Sequence, residues 1–270
     1  MKFSVLMSIY INEKSIYLNR AMQSIWDEQI VKPDEIVLVQ DGPLTDELYL
    51  TINKWKEKLG SLFILVILKK NVGLGDALNE GMKYCSYELI SRMDTDDISL
   101  PERFKKQLEI FEEKDIDICS AFISEFQDDE REIISYRKIP EKHNDIVKYS
   151  KKRSPINHIP VMFKKSVVIK AGGYMKMMWF EDYYLWVRLI INNAKFYNIQ
   201  EPLANIRSGY NQLERRRGLK YALSEFYLQK KFLKLGFINP YEFLRNISIR
   251  FFTRMMPSIF VKLIYKILRK

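Results

Sequence analysis

An α/β fold on a mostly parallel sheet, with helices on both faces and a basic helical extension, is what this sequence of 270 residues predicts. Three observations predict it. Short apolar runs of strand length alternate four times with segments of helical period up to Glu113. The turns after the second, third and fourth runs carry aspartate, glycine or proline, residues that stop strands and tolerate unusual backbone angles. The basic charge gathers at the end, where 15 Lys and Arg stand against three acids from Asn205 to Lys270, within an overall net charge of +10.

Phe3–Tyr10 has the length and apolarity of a first strand, and Ile16–Gln29 follows with Leu18, Ala21, Met22, Ile25 and Trp26 on one helical face. Glu35–Gln40 is a second strand, stopped by Asp41-Gly42-Pro43. Leu48, Ile52, Trp55 and Leu59 recur at helical spacing. Leu62–Leu68 reads as a third, buried strand. After the turn Asn71-Val72-Gly73, Leu74–Cys85 is a helix, and Glu88–Met93 is a fourth strand, stopped by Asp94-Thr95-Asp96-Asp97. Ser99-Leu100-Pro101-Glu102 has the form of a capping box opening a helix to Glu113. Beyond Ile116 the pattern loosens: strands at Ile116–Phe126, Ile133–Ile139, Val161–Phe163 and Phe196–Ile206, a helix at Glu181–Asn192, and helices from Gln212 onward, broken by Gly236, Pro240 and Pro257. Residues 1–207 therefore form one α/β domain and 208–270 a helical, basic extension.

A hydrophobic content of 47% with 29% charged residues excludes a disordered chain. Cys85 and Cys119 make neither a disulfide framework nor a zinc pattern, which fits a reduced, cytoplasmic protein. No run approaches the roughly 20 apolar residues of a spanning helix, and the start lacks the apolar core of a signal peptide.

Four constellations can carry chemistry. In open α/β sheets ligands bind outside the carboxyl ends of the strands, where Asp41 and Asp94–Asp97 both fall. Two carboxylates at i and i+2 in a turn can converge on a hard cation such as Mg²⁺ or Mn²⁺; the plainer alternative is a solvated acidic turn. Asp41 can accept hydrogen bonds from a base or ribose, or simply serve a turn. The glycines of Asn71–Gly81 can bring amides near phosphates, or only let a helix pack closely on the sheet. Glu181-Asp182, ahead of Tyr183-Tyr184-Leu185-Trp186, can complement a helix dipole or supply a general base.

In order and spacing, these segments resemble the family-2 inverting glycosyltransferases, which have the GT-A nucleotide-sugar fold. The resembling residues are Ser4–Tyr10, Asp41-Gly42, Asn71–Gly81, Met93–Asp97 with Pro101 and Arg103-Phe104, Asn157-His158, Ala171–Tyr174, and Glu181-Asp182 with Leu185-Trp186. The likeness runs from Phe3 to about Arg207 and is nearest to the bacterial exopolysaccharide and O-antigen branch, amylovoran-type enzymes included. It implies that Ser8, Tyr10 and Asn71 line the nucleotide pocket and that Asp41 binds uracil. It puts Asp94 near the ribose, has Asp96 ligate Mn²⁺ or Mg²⁺ on the diphosphate, and makes Asp182 the base of an inverting displacement. Ser8 stands where many relatives carry proline. His158 matches a motif near the acceptor, although a lone histidine is more often a structural hydrogen-bonder. Arg207 can reach a phosphate or serve as an ordinary surface residue.

The resemblance implies a UDP-sugar donor and a saccharide acceptor linked to a polyprenyl diphosphate. The tail fits that acceptor. Lys262, Lys266, Arg269 and Lys270 share one helical face and Phe260, Leu263, Ile264 and Ile267 another, as in a basic helix lying on an anionic membrane. The expected place of action is thus the inner face of the bacterial cell membrane. A nucleotidyltransferase making nucleotide sugars shares the carboxylates but calls for a glycine-rich phosphate loop after the first strand, where Ser8–Glu13 stands instead. A nucleic-acid binder is disfavoured, because the tail's basic residues alternate with aliphatics and no such motif occurs.

Overall fold

The computed structural model describes residues 1–208 and 218–255. The chain runs β1 (Phe3–Ile9), α1 (Ser15–Ile25), β2 (Glu35–Asp41), α2 (Asp46–Leu59), β3 (Phe63–Leu68), α3 (Leu74–Tyr84), β4 (Leu89–Met93), β5 (Ile98–Ser99) and α4 (Arg103–Glu113). It continues through β6 (Ile118–Phe126), β7 (Ser135–Arg137), α5 (His143–Ser150), β8 (Met162–Lys164), α6 (Lys165–Lys170), α7 (Glu181–Ile191) and β9 (Phe196–Arg207). The helices α8 (Leu219–Lys234) and α9 (Pro240–Met255) follow.

One sheet organises the fold, in the order β3-β2-β1-β4-β8-β6-β9-β5, with β7 beside β6. The first half, β3-β2-β1-β4, is parallel throughout. The second half is mixed: β8 lies antiparallel to β4 and β6, β9 is parallel to β6, and β5 is antiparallel to β9. Register pairs Ser8 with Val39, Ile9 with Gln40 and Met7 with Met93, so the carboxyl ends of β1, β2 and β4 open onto one edge. That edge is where sheets of this kind receive ligands.

Strand alternation splits the core. Phe3, Val5, Met7 and Ile9 pack with α1, α2 and Phe104, Leu108 and Phe111 of α4. Leu6, Val37 and Val39 pack on the opposite face with α3, and with Val168 of α6 and Leu185, Trp186 and Leu189 of α7. Gly81 makes the α3 contact possible, since a Cβ there would lie 2.5 Å from Leu6 Cδ1 and Val39 Cγ2. A third cluster joins Phe180, Tyr183, Tyr184 and Val187 to Tyr221, Leu228 and Phe232 of α8. The first described part of the basic extension is therefore packed on α7.

Several sequence expectations need correction. Ser99 caps no helix: Ile98–Ser99 pairs with Asn205–Ala204, the Ser99 amide donates to Ser24 Oγ at 3.0 Å, and α4 begins at Arg103 with no side-chain cap. The strand of Leu62–Leu68 lies at the sheet edge, with Ile67 64% exposed, rather than buried. The segment Ile133–Ile139 shortens to three residues paired with β6. The short helices α5 and α6 were not expected. Their N-caps make no side-chain hydrogen bond, and each buries only one or two residues, so their sequence signal is slight. The amphipathic face from Phe260 to Lys270 lies outside the described residues, as does the stretch 209–217.

Candidate active site

The acidic turn after β4 is held from three sides. Met93 ends β4, Ile98 begins β5, and β5 is fastened to β9. The Arg207 amide at the end of β9 donates to Asp97 Oδ1 at 2.8 Å, and Arg207 Nε donates to the Asp96 carbonyl at 3.3 Å. Thr95 Oγ1 donates to Glu13 Oε2 at 2.9 Å, drawing the loop after β1 against the turn. Arg92, buried in β4, grips Asp94 with both terminal nitrogens, Nη1 lying 2.7 Å from Oδ2.

These constraints bring one carboxylate oxygen each from Asp94, Asp96 and Asp97 within 4.8 Å of one another. Burial, reinforced by the Asp94 and Glu13 charges, pushes the Asp96 carboxyl up to about 7. Burial and the neighbouring carboxylates also raise Asp97 well above the usual range. Glu13 is raised chiefly by burial, against the hydrogen bonds from the Lys14 amide and Thr95. Burial is the strongest single influence on Arg92 and opposes its charge, but Asp94, Tyr174 and Asp97 together outweigh it and raise the guanidinium. Three carboxylates converge with the guanidiniums of Arg92 and Arg207 beside them, and the raised Asp96 and Asp97 show that all three do not ionise together without further positive charge. An all-oxygen donor set of that kind suits a hard divalent cation.

Asp41 ends β2 as an organiser of the adjoining loop. Its Oδ1 accepts the Val72 amide at 2.7 Å and its Oδ2 the Gly73 amide at 3.0 Å, while Asn71 Nδ2 donates to the Asp41 carbonyl at 3.3 Å. Gly42 has φ +91°, and a Cβ there would fall 2.7 Å from the Asn71 nitrogen, so the two chain segments meet backbone to backbone. Ser8 is half-buried at the end of β1, and Tyr10 is exposed in the loop beyond it.

The helix α3 leads from this loop to the second acidic pair. A Cβ on Gly75 would touch Tyr174 Cβ at 3.3 Å and Glu181 Cβ at 3.8 Å. Asn79 grips the Tyr174 backbone twice, accepting its amide at 2.8 Å and donating to its carbonyl at 2.7 Å. Arg188 donates to the carbonyls of Ala171 and Gly173 and so fixes the same loop. Glu181 and Asp182 occupy the first turn of α7, where the helix dipole favours anions. The Glu181 carboxyl is raised by burial and by Asp182, against Arg92. Asp182 Oδ1 accepts the Tyr183 amide at 2.6 Å. The buried Tyr174 phenol is raised chiefly by burial and also feels the charges of Arg92, Asp182, Glu181 and Asp94.

His158 is a structural residue here. Its Nε2 is 2.8 Å from the Tyr174 hydroxyl, its ring meets Trp186 edge-on, and burial holds its pKa well below the ordinary value. Arg207 is likewise built in, its guanidinium stacked 3.9 Å from the Tyr17 ring centroid and 4.6 Å from that of Phe126. Gly75 and Gly81 serve close packing. The residues to which sequence reasoning gave no role are Glu13, Arg92 and Tyr174, the last named only within the resembling segment Ala171–Tyr174. Arg92 left a signal, the one charged residue in the strand Leu89–Met93. Glu13 left none, because its partner Thr95 is 82 residues away.

Comparison with known proteins identifies the family and the fold. The model of glycosyl transferase family 2 matches residues 4–183. A UDP-Gal:alpha-D-GlcNAc-diphosphoundecaprenol beta-1,3-galactosyltransferase of Escherichia coli is 39% identical over 266 residues, 98% of this chain and 95% of that protein. The amylovoran biosynthesis glycosyltransferase AmsE of Erwinia amylovora is 37% identical over 272 residues, covering 99% of each. Among solved structures, a Pyrobaculum calidifontis mannosyltransferase in complex with GDP-Man and Mn²⁺ superposes with a TM-score of 0.66 at 16% identity, over 92% of this chain and 68% of that one. The chain belongs to glycosyl transferase family 2, has the GT-A fold and is a glycosyltransferase; the nucleotidyltransferase alternative is set aside.

Proposed function

We propose that this family-2 glycosyltransferase moves a hexose from a UDP-sugar to a saccharide carried on a polyprenyl diphosphate, in the synthesis of bacterial O-antigen or exopolysaccharide. The observation that carries the reading is the convergence of Asp94, Asp96 and Asp97 at the carboxyl edge of β4, in a chain related over nearly its whole length to an enzyme named for such a donor and acceptor.

Asp96, with Asp97 beside it, would hold Mn²⁺ or Mg²⁺. When bound, the cation neutralises the diphosphate of the donor and the charge that grows there as the sugar departs. The chain's own residues do the rest. Ser8 and Tyr10 border the nucleotide from the end of β1. Asp41, whose two oxygens each keep a further lone pair beyond the Val72 and Gly73 amides, accepts the imide N–H of uracil. The same hydrogen bonds set Asn71 against the base. Asp94, oriented by Arg92, faces the ribose.

Asp182 is the general base. It takes the proton of an acceptor hydroxyl as that oxygen attacks the anomeric carbon opposite the departing UDP. One bond forms as the other breaks, so the anomeric configuration inverts and an α-linked donor yields a β-linkage.

A diphosphate-linked polyprenol lives in a bilayer. None of the described helices is long and apolar enough to cross a membrane. We assign residues 1–207 to catalysis and the basic extension from 208 to peripheral association with the anionic inner face of the cell membrane. No nucleic acid has a part in this reading.

A thermal-shift panel of UDP, GDP, CDP and dTDP, each with and without Mn²⁺, tests it. UDP alone should raise Tm, and only with the metal; Asp96→Ala should abolish the rise. Stabilisation by another nucleotide, or by UDP equally without metal, overturns the donor and metal assignments.

A further inference from the structure

Trp179 stands out among the described residues that the mechanism does not use. Its φ is +65°, a left-handed conformation that a bulky side chain rarely adopts. Its side chain is nevertheless displayed, with the residue 46% exposed, while the next residue, Phe180, is buried. The backbone twist is what lets two consecutive aromatics point to opposite environments. Left-handed strain of this kind persists only where the surroundings fix it, and it gathers at functional sites.

The surroundings do fix it. Ser224 Oγ on α8 donates to the Met178 carbonyl at 2.6 Å, and the Phe180 amide donates to Met177 at 2.8 Å. Tyr221 backs the tryptophan, its ring stacked on Trp179 at 5.2 Å and 28°, and it meets Phe180 edge-on at 5.1 Å. Met178 beside it is 66% exposed. One face of the indole is thus occupied by Tyr221, and the ring is presented as a braced, flat, apolar surface.

Its position gives that surface a purpose. Trp179 lies three residues before Asp182, on the loop that runs from Tyr174 to the start of α7. Lys176, in the same loop, makes an exposed ion pair with Asp76 on α3 at 3.2 Å, so the loop lies beside the start of α3. We propose that Trp179 is the platform on which the acceptor's terminal pyranose stacks, positioning its nucleophilic hydroxyl for Asp182. A pyranose carries axial C–H groups on one face, and these are drawn to the negative face of an aromatic ring. Such a platform selects a ring with an unhindered C–H face, as in a gluco-configured hexosamine, and leaves its hydroxyl edge free to react.

This inference rests on the lipid-linked acceptor proposed above, and the test separates the two. The full-length enzyme is assayed with UDP-hexose, Mn²⁺ and an N-acetylglucosaminyl diphosphate on a long alkyl chain, varying acceptor and donor independently. Trp179→Ala should raise the acceptor KM at least tenfold while the donor KM stays within twofold. Trp179→Tyr and Trp179→Phe should restore most of the affinity, whereas Trp179→Leu, apolar but not aromatic, should not. The Tm of each variant reports the loss of the Tyr221 stack separately. An unchanged acceptor KM in Trp179→Ala, or full rescue by leucine, overturns the platform and leaves the function standing. No transfer by the wild-type enzyme to this acceptor overturns the function and the platform with it.

Discussion

Asp97 accepts the backbone amide of Arg207 at 2.8 Å, and that hydrogen bond joins the acidic turn after β4 to the end of β9, 110 residues further along the chain. Under the proposed cation site the carboxylate has two duties, this structural one and an electrostatic one. Asparagine can keep the first and not the second. Asp97→Asn should preserve Tm within a few degrees and weaken Mn²⁺ binding by at least tenfold in calorimetric titration. Asp97→Ala strands a buried amide and should also cost about 1–3 kcal/mol of stability. Equal metal affinity in Asp97→Asn and wild type would remove Asp97 from the cation site.

In the proposed mechanism Asp182 has a role separate from that of the carboxylate cluster. Asp182→Asn should lower kcat by about 10²–10⁴, the usual worth of a positioned base, and leave metal-dependent binding of UDP intact. Asp96→Asn should lose both. A single-turnover assay alongside nucleotide titration distinguishes the two patterns, and loss of UDP binding in Asp182→Asn would contradict the division.

The metal's stabilising effect should grow with pH. An ordinary aspartate titrates near 3.8, whereas burial and the Asp94 charge hold Asp96 at about 7. Without a cation, the protonated carboxyl favours the fold fully below pH 3.8, and that contribution is lost as pH rises through 7. A cation binds the ionised form and offsets the loss. The difference in Tm with and without Mn²⁺ should thus be small near pH 5.5 and larger near pH 8. A difference independent of pH would mean that the cation does not contact this cluster.

Gly81 offers a test of the scaffold away from the chemistry. A methyl group there would lie 2.5 Å from both Leu6 and Val39, forcing α3 off the sheet. Gly81→Ala should destabilise by about 1–3 kcal/mol in denaturant unfolding. Because α3 also carries Gly75 and Asn79, which hold Tyr174 and the start of α7, the donor KM should rise as well.

The first half of the fold was legible because each strand there is short, apolar and followed by an amphipathic helix, so local pattern and global topology agree. The positions of Asp41 and Asp94–Asp97 followed from that topology alone. The second half was less legible for physical reasons. Ile98–Ser99 is a strand of two residues whose only argument is Ala204-Asn205, far along the chain, and that pairing takes Ser99 from the helix cap its neighbours advertise. Leu62–Leu68 looks buried because its residues are apolar, but burial depends on neighbours, and among the described residues no strand covers its outer edge. The site shows the same division. Carboxylates announce themselves by type and spacing. Glu13 joins them only through Thr95, and Arg92 only through the strand that buries it, so neither could be placed before the fold. The glycines of Asn71–Gly81 were ambiguous between phosphate binding and packing, and the contacts around Gly75 and Gly81 show packing.

The most direct measurement is the anomeric configuration of the product. The enzyme, Mn²⁺ and an α-linked UDP-hexose are incubated with a lipid-diphosphate-linked N-acetylglucosamine, and the new glycosidic bond is read by proton NMR. A β-linkage, formed by wild type and lost in Asp182→Asn, is the expected result of a single displacement with Asp182 as base. An α-linkage, or a β-linkage formed equally well by Asp182→Asn, would contradict it.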